Sequence, residues 1–223
     1  MAAFRKAFDE GYRYLETDVR ATADGRLIVF HDARLDRVTD RRGAVAELPF
    51  SVVRQARVGA AEPIPLLAEV LEELPDALFN IDAKSAGAVA PLAKLIIESG
   101  SADRVCLSSF SDRRLTVLRD LLGPGVATAL GPRALFRLVR ASALRRRFRT
   151  RAVAAQVPVR YQGVPIVTPR LLSTARAAGL EVHVWTIDEP DDMRSLLGLG
   201  ADGIMTDRPD LLRDVLLERG AWP

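Results

Sequence analysis

Cysteine is nearly absent from this chain: Cys106 is the only one in 223 residues. A single thiol excludes an internal disulfide and a thiolate metal cluster. Its setting, Val105-Cys106-Leu107, reads as a small core residue rather than a nucleophile. Lysine is scarce too. Lys6, Lys84 and Lys94 are the only three, so the positive charge is almost all arginine, and the net charge is a modest +3. Aromatic residues make up 6%, too few to build a stacking platform for bases, so no nucleic-acid partner is expected. No apolar run reaches the roughly 20 residues that span a bilayer. The opening MAAFRKAFDEG has no signal-peptide core, so the chain is expected to be soluble and cytoplasmic. No glycine-rich phosphate loop follows an early strand, which disfavours a dinucleotide-binding sheet.

What is present is apolar content of 48%, enough for one sizeable core. Helices are expected at 2–10, 66–74, 88–99, 111–122, 133–149, 168–178, 191–199 and 209–219. Between them, strands are expected at 12–19, 77–83, 104–109, 126–130, 152–157, 181–187 and 203–206. Strand and helix in regular alternation argue for a parallel sheet covered by helices. The expected fold class is α/β, a TIM-type (β/α)₈ barrel over residues 1–223. Seven strands are found and the first element is a helix, so the barrel's first strand would be the missing one. An open doubly wound sheet is the alternative.

The segment ETDVRATADGRLIVFHD, residues 16–32, organises the chain. Glu16 and Asp18 lie two apart, which in a strand puts both carboxylates on one face. Such a pair suits a hard cation, Mg²⁺ or Ca²⁺, although two acids at a strand end can equally be solvated side chains. Asp24-Gly25 is a tight-turn signal. The run Leu27-Ile28-Val29-Phe30 then carries His31 back toward the carboxylates. A cation that polarises a phosphoryl oxygen, beside a histidine that moves a proton, suits cleavage of a phosphate ester. Asp82 and Lys84 share a face at another strand end, and so do His183 and Trp185. His183, one layer deeper, reads as a hydrogen-bonded interior residue rather than a catalyst.

The order and spacing of Glu16, Asp18, Val19, Thr22, Asp24, Gly25, His31, Asp32, Leu35, Arg37, Thr39 and Gly43 closely resemble the central signature of the glycerophosphodiester phosphodiesterase family. The resemblance extends to Trp185-Thr186 and to the closing Gly200-Ala201-Asp202-Gly203-Ile204-Met205-Thr206-Asp207. It implies metal-dependent hydrolysis of a glycerophosphodiester to glycerol 3-phosphate and an alcohol. Glu16, Asp18 and Asp82 would hold one divalent cation, Mg²⁺ or Ca²⁺. His31 would be one of two proton-transfer groups, Lys84 would meet the phosphate, and Trp185 would line the substrate pocket. The third metal ligand is a glutamate in the family, and Asp82 is one methylene shorter.

The family's first strand ends in His-Arg-Gly, supplying a second catalytic histidine, and a Pro-Glu-Asn-Thr follows. This chain begins just after that Asn-Thr, so it is expected to be an N-terminally shortened form of a longer protein. Two other readings keep the same fold: a non-catalytic phosphoester-binding protein with a degenerate site, or a phospholipase. The basic run from Arg133 to Arg151 reads as a solvated helix face, with docking to anionic lipid as a second use.

Overall fold

The computed structural model describes residues 1–222 and divides the chain into two compact units, residues 1–127 and residues 128–223. The first unit begins with α1 (Ala2–Asp9), β1 (Tyr14–Ala21) and β2 (Leu27–Val29). A long loop follows, holding α2 (Phe50–Val53) and the short antiparallel pair β3 (Arg57–Val58) and β4 (Glu62–Pro63). Then come α3 (Leu67–Glu73), β5 (Leu78–Ala83), α4 (Val89–Ser99), β6 (Val105–Ser108) and α5 (Asp112–Leu122), ending at β7 (Ala127–Thr128). The sheet order is β2-β1-β5-β6-β7. The pairs β1–β5 and β5–β6 are parallel, and β2 is the antiparallel return arm of β1.

Alternation along β1 decides which side chains face the core. Leu15, Thr17, Val19 and Ala21 are buried, whereas Tyr14, Glu16, Asp18 and Arg20 point the other way. The buried row packs with Phe79, Ile81, Val105 and Leu107 of the neighbouring strands and with Leu92, Ile96 and Leu118 of the covering helices. At about 1.5–3 kcal/mol for each large apolar side chain buried, this cluster dominates the unit's stability. Phe4 of α1 packs edge-on against Phe79, with ring centroids 6.3 Å apart.

The loop between β2 and α3 has a small core of its own: Ile28, Phe30, Leu35, Val45, Val53, Ala56, Ile64 and Leu66. Gly43 is essential to its path. Its φ is +133°, and a Cβ there would lie 2.8 Å from Leu48 Cδ1. Its backbone N–H donates to Asp36 Oδ2 and its carbonyl accepts from Leu35 N–H. Gly43→Ala is expected to lower unfolding stability by about 1–3 kcal/mol, chiefly through backbone strain, since the Leu48 side chain can yield. A urea titration checks this; an unchanged midpoint would show that the loop relaxes at no cost.

The second unit runs α6 (Pro132–Ala143), β8 (Ala154–Pro158), the hairpin β9 (Arg160–Tyr161) and β10 (Val164–Pro165), α7 (Pro169–Arg176), β11 (Glu181–Trp185), α8 (Pro190–Leu199), β12 (Gly203–Ile204) and α9 (Pro209–Glu218). Its sheet, β12-β11-β8, is parallel throughout. The closing motif works structurally. Asp202 Oδ2 accepts from Val182 N–H, and Asp188 Oδ1 accepts from both Thr206 Oγ1 and Asp207 N–H. A Cβ on Gly203 would stand 3.0 Å from the His183 ring, so a side chain there would press on the imidazole. Among the described residues, no helix is long and apolar enough to cross a membrane.

Candidate active site

Register brings the acids of the first unit together. In the parallel pair of β1 and β5, Asp18 stands beside Asp82 and Glu16 beside Asn80. Partners in a parallel ladder present their side chains on the same face, so both acids of β1 and Asp82 share one surface. Asp18 and Asp82 lie toward the C-terminal ends of their strands, where α/β proteins place their chemistry.

Lys84, the residue at the mouth of β5, lies between the two aspartates. Its Nζ is 2.8 Å from Asp18 Oδ1 and 3.0 Å from Asp82 Oδ2, and 5.2 Å from the centroid of the Phe110 ring. Burial works against its charge, but Asp18 and Asp82 outweigh burial and its pKa is raised. Asp82 behaves differently. Burial is the leading influence there and pushes its carboxyl up, against the pull of Lys84. Its second oxygen, Oδ1, is buried without a hydrogen-bond partner among the described residues. Lys84 is fixed from behind: its N–H donates to Val19 O, and its carbonyl accepts from Arg114 Nη1 at 2.9 Å. Arg114 Nε also donates to Ser109 Oγ, which donates to Ala83 O.

His31 follows the return arm of the hairpin. Asp24 Oδ1 accepts from Thr22 Oγ1 and from Phe50 N–H, fixing the turn and joining it to α2. On the return arm, Phe30 N–H donates to Asp18 O, and Arg20 Nε donates to His31 O at 2.8 Å. The imidazole is exposed. Its Nδ1 is 2.7 Å from Asp32 Oδ1, and Arg37 grips Asp32 with two bonds, at 2.6 and 3.0 Å. Arg37 first and His31 second hold the Asp32 carboxyl well below the usual carboxylate range. An ionised carboxylate only accepts hydrogen bonds. A carboxylate so placed favours the tautomer that carries the proton on Nδ1.

Of the residues singled out in the sequence, Asp18, Asp82 and Lys84 come into direct contact, and Glu16 stands one pleat back on the same face. Among the described residues, no three of His, Cys, Asp and Glu are gathered as a ready metal cage. Trp185 lies in the second unit, at the C-terminal end of β11 beside Pro158. His183 is part-buried, with Nε2 3.3 Å from Glu181 Oε2. Sequence reasoning assigned no role to Arg20, Asp32, Arg37 or Arg114. The signal for Asp32 and Arg37 lay in the His-Asp and Leu-x-Arg spacing; Arg114, thirty residues beyond Lys84, left none.

The family model described as the glycerophosphoryl diester phosphodiesterase family matches residues 1–211. Among curated proteins, the chain is 44% identical over 227 residues to "Probable glycerophosphodiester phosphodiesterase 2" of Mycobacterium tuberculosis, covering 100% of this chain and 86% of that one. It is 30% identical over 234 residues to the glycerophosphodiester phosphodiesterase of Caldanaerobacter subterraneus subsp. tengcongensis, covering 99% and 92%. A solved glycerophosphodiester phosphodiesterase from Agrobacterium tumefaciens superposes with a TM-score of 0.76 at 28% identity, over 96% of this chain and 91% of that one. An Oleispira antarctica phosphodiesterase, solved with its product sn-glycerol-3-phosphate, superposes at 0.80 with 22% identity, over 96% and 89%. These neighbours are TIM-barrel enzymes, and the chain shares their α/β fold class.

Proposed function

Because the chain belongs to the glycerophosphoryl diester phosphodiesterase family, we propose that it hydrolyses glycerophosphodiesters, with residues 1–223 acting as one domain of that family. Water adds to phosphorus, the bond to the alcohol oxygen breaks, and glycerol 3-phosphate and the alcohol leave. The observation that carries this reading is the group of Asp18, Asp82 and Lys84 on the register-paired strands β1 and β5.

The donor set fits a divalent cation. Glu16, Asp18 and Asp82 offer only oxygens, as Mg²⁺ and Ca²⁺ prefer, and Asp82 Oδ1 is a buried acceptor without a partner among the described residues. These three residues would hold the ion, which when bound would polarise a phosphoryl oxygen. Lys84 supplies a fixed positive charge on the same face, suited to the negative charge that builds on the phosphodiester monoanion as water adds. His31 moves the proton at Nε2: it can take one from water or give one to the departing alkoxide. Asp32 and Arg37 keep the ring in one orientation and one tautomer. The assignment of Trp185 to substrate binding rests on the family motif alone.

The test is direct. Incubation with glycerophosphocholine should release glycerol 3-phosphate and choline, followed by ³¹P NMR. Chelation with EDTA should abolish turnover, and Mg²⁺, Ca²⁺ or Mn²⁺ should restore it. Faster release from lysophosphatidylcholine would shift the substrate class to phospholipids. No hydrolysis of either compound with any of the three cations would overturn the enzymatic reading.

A further inference from the structure

We propose that the outer face of α6, with the arginine-rich segment that follows it, docks onto an anionic lipid bilayer. Between residues 121 and 180 there are eleven arginines and not one aspartate or glutamate; the remaining residues carry twenty-one basic and twenty-nine acidic side chains. Charge of one sign is thus gathered on a single stretch of a chain whose net charge is only +3.

On α6, Arg133, Phe136, Arg137 and Arg140 recur at three- and four-residue spacing and lie along one exposed side, while Leu138 and Ser142 face inward. Phe136 is 68% exposed, and Leu144, just past the helix, is 51% exposed. Arg145 turns the chain with a positive φ of 52°. Phe148 is buried, and the Arg137 guanidinium lies 5.9 Å from its ring centroid, which ties the next segment back onto the helix. With Arg145, five exposed arginines stand between residues 145 and 151.

Two large apolar side chains, exposed among arginines with no acid near them in sequence, form the pattern of an interfacial helix. The apolar side chains enter the boundary between headgroups and acyl chains, and arginine forks meet lipid phosphates. Acidic protein surfaces and nucleic acid would satisfy the charge but leave Phe136 and Leu144 without an apolar partner. This proposal does not depend on the catalytic reading.

Co-sedimentation of the full chain with phosphatidylcholine vesicles holding about 30% phosphatidylglycerol tests it. Partitioning should be strong at low salt, weaken steeply with added salt, and vanish on pure phosphatidylcholine. Arg140→Gln, Arg146→Gln and Arg147→Gln together should weaken it about 100-fold, at about fivefold per arginine. Phe136→Ser alone should weaken it about tenfold. Both variants alter exposed positions and should keep the wild-type thermal midpoint. The proposal is overturned by any of three results: failure to bind anionic vesicles, equal binding to neutral ones, or binding that both variants leave unchanged. Binding of a short DNA duplex as tightly as the vesicles, with Phe136→Ser affecting neither, would also overturn it and assign the face to nucleic acid.

Discussion

Replacing His31 with alanine should cut kcat by about 10²–10⁴-fold, the usual contribution of positioned proton transfer, with little change in KM or in thermal stability. The imidazole is exposed and, among the described residues, its ring bonds to Asp32, which Arg37 holds with two bonds of its own. The backbone anchor from Arg20 goes to the carbonyl of residue 31, so alanine keeps it. Loss of an exposed side chain away from the core typically shifts stability by no more than about 0.5 kcal/mol. The measurement is kcat and KM on glycerophosphocholine beside a thermal melt. Full turnover in the variant would remove His31 from the mechanism. A collapse of the melt would instead mean that the histidine is structural.

Lys84→Met should produce the second large effect, on stability and on activity together. Lys84 is the cation between two carboxylates, and all three side chains are largely withdrawn from water, with exposures of 16%, 17% and 6% for Lys84, Asp18 and Asp82. Removing one partner of a buried pair leaves charge uncompensated, at a cost of roughly 3–5 kcal/mol. Partial access of water to Asp18 places the expected loss near the lower figure, about 3 kcal/mol. A divalent cation should restore much of it, because an ion that binds only the folded state stabilises by about 2.7 kcal/mol at a hundred times its dissociation constant. Turnover should fall by about 10²–10³-fold even with the cation present, as when one charge-stabilising donor is lost. Chemical denaturation of the variant, with and without Mg²⁺ or Ca²⁺, is the check. A variant as stable as wild type without cation would show that the aspartates do not depend on Lys84.

The parts of the site that were legible in the sequence are those closed by local contacts. Residues 14–43 form one hairpin and one loop, and their bonds join residues near in sequence: Thr22 to Asp24, Asp32 to Arg37, Leu35 to Thr39 and Gly43. Turn chemistry and period-two patterning report such contacts. The strand ends at Asp18 and Asp82 were legible for the same reason. That Lys84 would turn back between them was not, because it depends on a register across some sixty residues of chain. Arg114, which reaches the carbonyl of Lys84 from α5, was hidden likewise.

Boundaries failed where composition misled. The helix expected over 133–149 ends at Ala143, because Arg145 takes up a left-handed conformation that no glycine advertised. The hairpin of Arg160–Tyr161 with Val164–Pro165 escaped notice because its strands are two residues long. Its turn signal, Gln162-Gly163 with both φ positive, was in plain view.

The small core beneath the loop after β2 has a consequence for how function is lost on heating. Its eight buried residues are separate from the main cluster between sheet and helices, and they support the loop on which His31 and its Asp32–Arg37 clamp are built. Cooperative segments of a protein open at their own free energies, and small ones open first. His31, the residue proposed to move the proton, therefore rides on a segment expected to open before the parallel strands bearing Asp18 and Asp82. Loss of activity on heating is then expected to run ahead of global unfolding, with this eight-residue cluster rather than the sheet setting the upper working temperature.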